Sequence, residues 1–239
     1  NALLDILYPH FSRPIPSMTI VKFDVSNTTG KLTSAAKIKR HTPLFAESST
    51  NEICRFRTCY ESELWPIKTS DVEILRTEYV DFLDGKIETQ NVLKLRLQPT
   101  SIPLNELAVK NLRFYLSGDR KMQSGLYELL FTRDLSPVQV SYQGGERVAV
   151  NAMPKNSIHE VGFEDDQSLY PFPDNAHPAY RLLFEYFNFP QKFAFFELHN
   201  ISTSQSTDAI EFYFPMPEVV SIAANDLSAQ NIQLGCVPA

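Results

Sequence analysis

The 239-residue sequence sets 22 Lys and Arg against 28 Asp and Glu, a formal net charge of −6 with a pI near 5.4, which argues against a nucleic-acid footprint, since phosphate binding needs clustered basic surface. A chain this long buries roughly 70–75% of its unfolded surface and needs no staples; its three cysteines, Cys54, Cys59 and Cys236, are too few and too odd in number for a disulfide framework and fit a reducing compartment such as cytoplasm. No apolar run approaches the ~20 residues of a membrane span, because Arg181, Glu185 and Lys192 interrupt the most hydrophobic region, and no signal peptide is expected.

Residues 2–7 read as the last turn of a helix. They are followed by an extended connector in which Pro9, Pro14 and Pro16 fix φ and remove donors. Met18, Ile20 and Phe23 open a strand that ends at the turn Asn27-Thr28-Thr29-Gly30. Residues 37–44 alternate weakly and contain Pro43, the mark of an edge strand or an irregular crossing. In residues 53–58, Cys54 and Phe56 alternate with Arg55 and Arg57, which predicts a half-buried strand. Trp65-Pro66 bends the chain, and residues 72–82 form a longer, more charged strand with a turn at Asp84-Gly85. Leu93, Leu95 and Leu97 then point inward from another strand, and residues 111–116 repeat the form. A helix is predicted over about 120–133, where Leu126, Leu129, Leu130 and Phe131 supply a wide apolar face. Gly125 inside it costs about 1 kcal/mol relative to alanine. Residues 137–142 are a strand, Gly144-Gly145 is a hairpin tip, and residues 156–163 lead to the acidic run Glu164-Asp165-Asp166.

The most demanding stretch is 178–198, which holds eight of the chain's 28 aromatic residues. Ala179, Leu182, Leu183, Tyr186 and Phe187 fall at i, i+3, i+4, i+7 and i+8, one face of a helix, while Arg181 and Glu185 share the other. Pro178 suits the first turn and Asp174 or Asn175 the cap, and Pro190 ends the helix. Residues 192–198 predict a strand apolar on both faces. Leu182, Leu183, Phe187, Phe193 and Phe196 are expected inside, with Arg181 and Tyr180 fixing neighbouring loops or a partner. Tyr180, Phe184 and Phe189 are candidates for an exposed patch. Strands follow at 209–214, 219–224 and 231–236.

This order predicts an α+β, mainly β fold, with antiparallel-rich sheets and about two short helices. The expected division is a first β-rich lobe, 1–118, opened by the Pro-rich segment, and a second lobe, 119–239, with helices near 120–133 and 178–188, the two sharing a core. The start at Asn1 and the stop at Val237-Pro238-Ala239 suggest a fragment of a longer protein.

Chemical signatures are scarce. His10, His41, His159, His177 and His199 lack the i, i+3 or i+4 spacing for one metal, and Cys54 and Cys59 make no zinc pair. Nucleophile-elbow, dinucleotide and P-loop motifs are missing. No enzyme activity, cofactor or metal is expected. Arg13, Arg55, Arg57, Arg113 and Arg181 sit among apolar neighbours, which calls for pairing within the fold or with another subunit.

The segments Tyr8-Pro9-His10, Arg13-Pro14-Ile15-Pro16-Ser17-Met18, Cys54-Arg55-Phe56-Arg57-Thr58, Leu112-Arg113-Phe114-Tyr115-Leu116 and Leu126-Tyr127-Glu128-Leu129-Leu130-Phe131 occur in that order. Tyr180-Arg181-Leu182-Leu183 through Phe189-Pro190 and Lys192-Phe193 completes the set. Together they resemble TssF, the type VI secretion baseplate family also called VasA or ImpG, whose fold is related to contractile-phage baseplate wedge proteins. The resemblance implies a structural wedge component that assembles with TssG and a second TssF copy, connects to TssK, TssE and the central spike, and works in the bacterial cytoplasm at a baseplate docked to the inner membrane. It marks Tyr8, His10, Arg13, Pro14, Pro16, Arg55, Arg57, Arg113, Tyr115, Tyr180, Arg181 and Phe189 as interface or structural candidates. The competing expectation is a carbohydrate- or peptide-binding β-sandwich.

Overall fold

The computed structural model describes residues 14–24, 34–83, 89–131, 136–171, 177–216, 222 and 226–239. In chain order its strands and α-helices are β1 (Ile20–Lys22), β2 (Ala36–Ile38), β3 (Pro43–Glu47), β4 (Ile53–Arg57), β5 (Ser62–Leu64), β6 (Ile67–Arg76), β7 (Asn91–Pro99), β8 (Leu112–Leu116), α1 (Arg120–Phe131), β9 (Val138–Gln143), β10 (Glu146–Ala152), β11 (Ile158–Glu160), α2 (Pro178–Asn188), β12 (Phe195–Leu198), β13 (Ala209–Pro215), β14 (Ile232–Leu234) and β15 (Cys236–Pro238). Every described strand pair is antiparallel. The fold is mainly β with two α-helices among the described residues, and none of the described helices is long and apolar enough to cross a membrane.

Two sheets enclose the main core. One has the order β10-β9-β13-β7-β6 and the other β11-β12-β8-β14. The larger sheet thus takes β6 and β7 from before residue 118 and β9, β10 and β13 from after it. The alternation of β7 explains its place: Leu93, Leu95 and Leu97 face the core, where they join Phe212 and Phe214 of β13, Phe114 of β8, Phe196 of β12 and Leu126, Leu129 and Leu130 of α1. Val92, on the other face of β7, enters a second cluster with Val138, Val140 and Tyr213.

β13 is buried at all seven positions, including one acid. Glu211, 2% exposed, accepts from Arg96 Nη1 at 2.8 Å and from the hydroxyls of Tyr142 and Tyr213 at 2.7 Å each. A buried carboxylate is tolerated because these three donors, one of them charged, replace the water it has lost.

Two glycine positions are conformational requirements. Gly144 and Gly145, with φ of 61° and 81°, join β9 to β10 by the two-residue turn in which both central residues need positive φ. Gly235, φ 74°, breaks the expected strand 231–236 in two, so that β14 pairs with β8 and β15 pairs with β1. A Cβ there would meet the Phe23 carbonyl oxygen at 2.7 Å.

Three expectations are corrected. Residues 37–44 form parts of two strands, β2 and β3, separated by a turn in which His41 adopts φ 63°. The strand expected from Lys192 begins at Phe195, because Pro190–Phe193 closes a 3-10 turn first. β4 is exposed at four of its five positions, Cys54 included, because among the described residues β3 and β4 pair only with each other, as an arm off the sheets. The predicted helix at 2–7, the turns at Asn27–Gly30 and Asp84-Gly85, the cap at Asp174 or Asn175 and most of the strand at 219–224 lie outside the described residues.

Candidate interaction surface

Helix α2 starts where Pro178 needs no N–H partner and the His177 Nδ1 accepts from the Ala179 N–H at 3.2 Å. It stops where the Phe189 backbone leaves helical geometry at φ −149°, just before Pro190. Its two faces are those expected, but they are inverted relative to the protein. Arg181 and Glu185 are 4% and 0% exposed, whereas Leu183 is 55%, Tyr180 63%, Tyr186 46% and Phe187 80% exposed. Leu182 and Phe193 are half-buried, and Phe196 alone of the five residues expected inside is fully enclosed.

Pairing accounts for the inversion. The Arg181 fork donates to the carbonyls of Phe163 and Glu164 at 2.9 and 3.0 Å and meets Asp165 Oδ1 at 3.1 Å. Glu185 accepts from the Leu169 N–H at 2.7 Å through one oxygen and from the fully buried Lys192 ammonium through the other. Lys192 reaches back because the 3-10 turn folds it under the helix, and its Nζ also lies 5.1 Å from the Phe193 ring centroid. Burial presses the Lys192 pKa down, and the Glu185 carboxylate only partly offsets this. The charged face therefore acts as a clamp on residues 163–169.

The apolar face is left to solvent and borders a groove of about 600 Å³ between α2 and α1. Leu182, Leu183 and Tyr186 form one wall, Tyr127 of α1 the other, and Phe163 and Phe193 lie 5.1 Å apart within its lining. The groove is lined mainly by ring and aliphatic carbon, with Arg120, Gln123 and Glu128 at its polar margin.

A second ionic node sits on the smaller sheet. Arg113 of β8 stands opposite Glu197 of β12 and donates to it from Nε at 2.8 Å; Nη1 reaches the Glu61 carbonyl at 2.9 Å. The guanidinium lies 4.8 Å over the Tyr60 ring. Glu197 also bonds His199 Nε2 at 2.8 Å, and the His199 ring centroid lies 4.1 Å from that of His159 with the planes tilted by 35°. Burial raises the Glu197 pKa, yet Arg113 and His199 together bring it below its ordinary 4.5. A depressed carboxylate contributes stability above its unfolded value and loses it as pH falls through the folded one. Glu197→Gln is accordingly expected to flatten the fall of unfolding free energy with pH below about 4.5, measured by urea titrations; an unchanged acid limb would show that the node does not contribute.

The other candidates divide by location. Tyr115 is buried, its hydroxyl 3.0 Å from Gln123 Nε2 and its ring 4.8 Å from Phe195. Phe189 is 8% exposed, and Phe184 is half-buried against Tyr170 at 5.4 Å. Pro14 and Pro16 are exposed. Arg55 and Arg57, expected to pair within the fold or with another subunit, are exposed on β4 with no ion pair among the described residues. Tyr8, His10 and Arg13 lie outside the described residues. Among the described residues no group of three His, Cys, Asp or Glu is placed to hold a metal ion, and Cys54, Cys59 and Cys236 are unpaired. Sequence reading missed Glu185–Lys192 and Glu211 as buried ions; for Glu211 the signal was a lone acid inside the apolar run Ile210–Phe214.

Fold and site together define a mainly antiparallel β protein that displays apolar side chains beside a groove instead of burying them. Comparison with known proteins places it among type VI secretion components. The chain belongs to the TssF family: the family described as "Type VI secretion system, TssF" matches residues 1–239. It is 29% identical over 208 residues to the type VI secretion system component TssF1 of Pseudomonas aeruginosa, covering 84% of this chain and 33% of that one. Its fold matches a chain of the cryo-electron microscopy structure of the type VI secretion system TssK-TssF-TssG baseplate subcomplex with a TM-score of 0.78 at 21% identity, over 99% of this chain and 43% of that chain. It thus spans about a third of the curated relative and under half of the solved chain.

Proposed function

We propose that this chain is part of a non-enzymatic structural component of the type VI secretion baseplate wedge, supporting sheath and tube assembly. The observation that carries the reading is α2, whose Tyr180, Leu183, Tyr186 and Phe187 are displayed while its charged residues are buried. Burying an apolar side chain of this size is worth roughly 1.5–3 kcal/mol, so a patch held open by a fixed ionic clamp is suited to another chain. The partners proposed are TssG and a second copy of the protein, with TssK, TssE and the central spike elsewhere in the wedge. The location proposed is the bacterial cytoplasm, at a baseplate docked to the inner membrane. Family membership and the fold shared with a chain of a TssK-TssF-TssG subcomplex support this. The division into lobes 1–118 and 119–239 around a common core is proposed alongside it.

The test is co-expression of the full-length protein with TssG and TssK. A stable complex is expected for the wild type. Leu183→Asp with Phe187→Asp is expected to weaken TssG capture at least tenfold, about 1.4 kcal/mol, with thermal unfolding unchanged. A full-length protein that stays monodisperse and ignores both partners would overturn the reading. One observation favours a second reading, a peptide-binding module: the groove walls present the rings of Tyr127, Phe163, Tyr186 and Phe193. Saturable binding of free aromatic peptides to the isolated chain, with no capture of TssG, would select it.

A further inference from the structure

β6 and β14 are edge strands of the two main sheets and lie against each other. Where they meet, the end of β1, the bend at Trp65 and the start of β6 line a cavity of about 130 Å³. Two of its lining residues carry buried groups that nothing satisfies: the Trp65 Nε1–H and the Thr69 hydroxyl have no hydrogen-bond partner among the described residues. A buried donor without an acceptor keeps its full desolvation cost, and an enclosed indole N–H usually has a partner. Thr69 is on the inner side of its sheet because it stands opposite Leu97, a core residue. Asp71, two positions on, would share that face in a regular strand, but the β-bulge between them sends it to the outer face, opposite Arg96. The cavity thus receives the hydroxyl and not the carboxylate.

The charged groups of the lining decide what kind of acceptor fits. Arg113 is engaged by Glu197, by the Glu61 carbonyl and by the Tyr60 ring, and Glu63 by Lys37 at 3.4 Å. Lys22, Lys68 and Asp24 remain, and none of them forms an ion pair among the described residues. Two cations against one acid leave the cavity net positive, which favours an anionic acceptor over a neutral one. Volume sets the size of that anion. At about 30 Å³ per water, there is room for roughly four non-hydrogen atoms, a carboxylate and the carbon that carries it. A phosphate fits the lining less well, because such groups are held by arginine forks or clusters of backbone N–H, and the Arg113 fork is engaged elsewhere.

We infer that this cavity is a binding site for a small carboxylate of about the size of acetate. The Trp65 Nε1–H and the Thr69 hydroxyl donate to its oxygens, and Lys22 and Lys68 offset its charge. Two sources carry that group, a free small acid and the side chain of an aspartate on another protein, and the experiment separates them. None of the lining residues belongs to the α2 groove, so failure of this site leaves the assembly reading standing.

Trp65 is the chain's only tryptophan, so its Nε1–H gives a single indole resonance in a nitrogen–proton correlation spectrum of the protein. Acetate is expected to move that resonance downfield and saturably, with a Kd of roughly 1–10 mM, and sodium chloride at equal ionic strength is expected to leave it in place. Lys22→Gln with Lys68→Gln is expected to weaken acetate binding at least about fivefold, and Asp24→Asn to tighten it about twofold. All three residues are exposed, so the variants keep the core, and circular dichroism verifies their folding. The second arm uses N-acetyl-aspartic acid N-methylamide. Tighter binding of this compound than of acetate assigns the site to a protein side chain, and the reverse order assigns it to a free acid. An indole resonance unmoved by either compound up to about 100 mM, as water alone in the cavity would leave it, overturns the proposal. So do an undiminished response in the double lysine variant, weaker binding in Asp24→Asn, or inorganic phosphate bound as tightly as acetate.

Discussion

Lys192→Ala is expected to lower the unfolding free energy by about 3–5 kcal/mol, the usual cost of leaving a buried charge without its partner. Glu185 would keep the Leu169 N–H but lose the ammonium, in a site where both side chains are 0% exposed. In a chain of this size each kcal/mol moves the melting temperature by about 2–4 °C, so the shift is readily measured by calorimetry. Removing both charges together tests the cause. Lys192→Met with Glu185→Gln retains an acceptor for Leu169 and takes the charges away as a pair, and is expected to recover most of the loss. A double variant as damaged as the single would mean that packing under the helix, not charge compensation, sets the cost.

Phe196→Ala and Phe187→Ala should differ sharply although the residues stand nine positions apart in one aromatic stretch. Phe196 is 0% exposed and stacks on Phe114 with centroids 5.0 Å apart and ring planes at 17°. Its truncation leaves a cavity between the sheets and is expected to cost about 3–5 kcal/mol. Phe187, 80% exposed, is expected to change stability by no more than about 0.5 kcal/mol. Chemical denaturation measures both. A cost above about 2 kcal/mol for Phe187→Ala would mean that its ring is enclosed and that the apolar face of α2 is not on display.

The helical period of 178–188 was legible, and so was burial on both faces of residues 195–198. Which face of α2 lies on the protein was not. Periodicity separates Arg181 and Glu185 from Leu183 and Phe187 but carries no sign, and the sign is decided by partners remote in the chain. Arg181 is held by carbonyls 17 and 18 residues before it, and Glu185 by an amine seven residues after it across Pro190. Arg113 was expected to be paired and is, because β8 lies beside β12. Pairing within the fold is not found for Arg55 and Arg57, because alternation within β4 cannot reveal that β3 is its only neighbour among the described residues.

The pairing of β1 with β15 has a consequence for how the chain is made. Ile20 stands opposite Pro238, so the first described strand finds its partner only after roughly 200 further residues have been synthesised. At roughly 5–20 residues per second, β1 waits about ten to forty seconds for it. β8 likewise waits for β12 and β14, leaving the aromatic strand of the smaller sheet open on both edges until those segments have been made. Contacts this distant also slow folding after release, because loop closure precedes any gain from pairing. The edges of β1 and β8 therefore stay uncovered through much of synthesis, the condition in which unpaired strands are prone to pair with other chains.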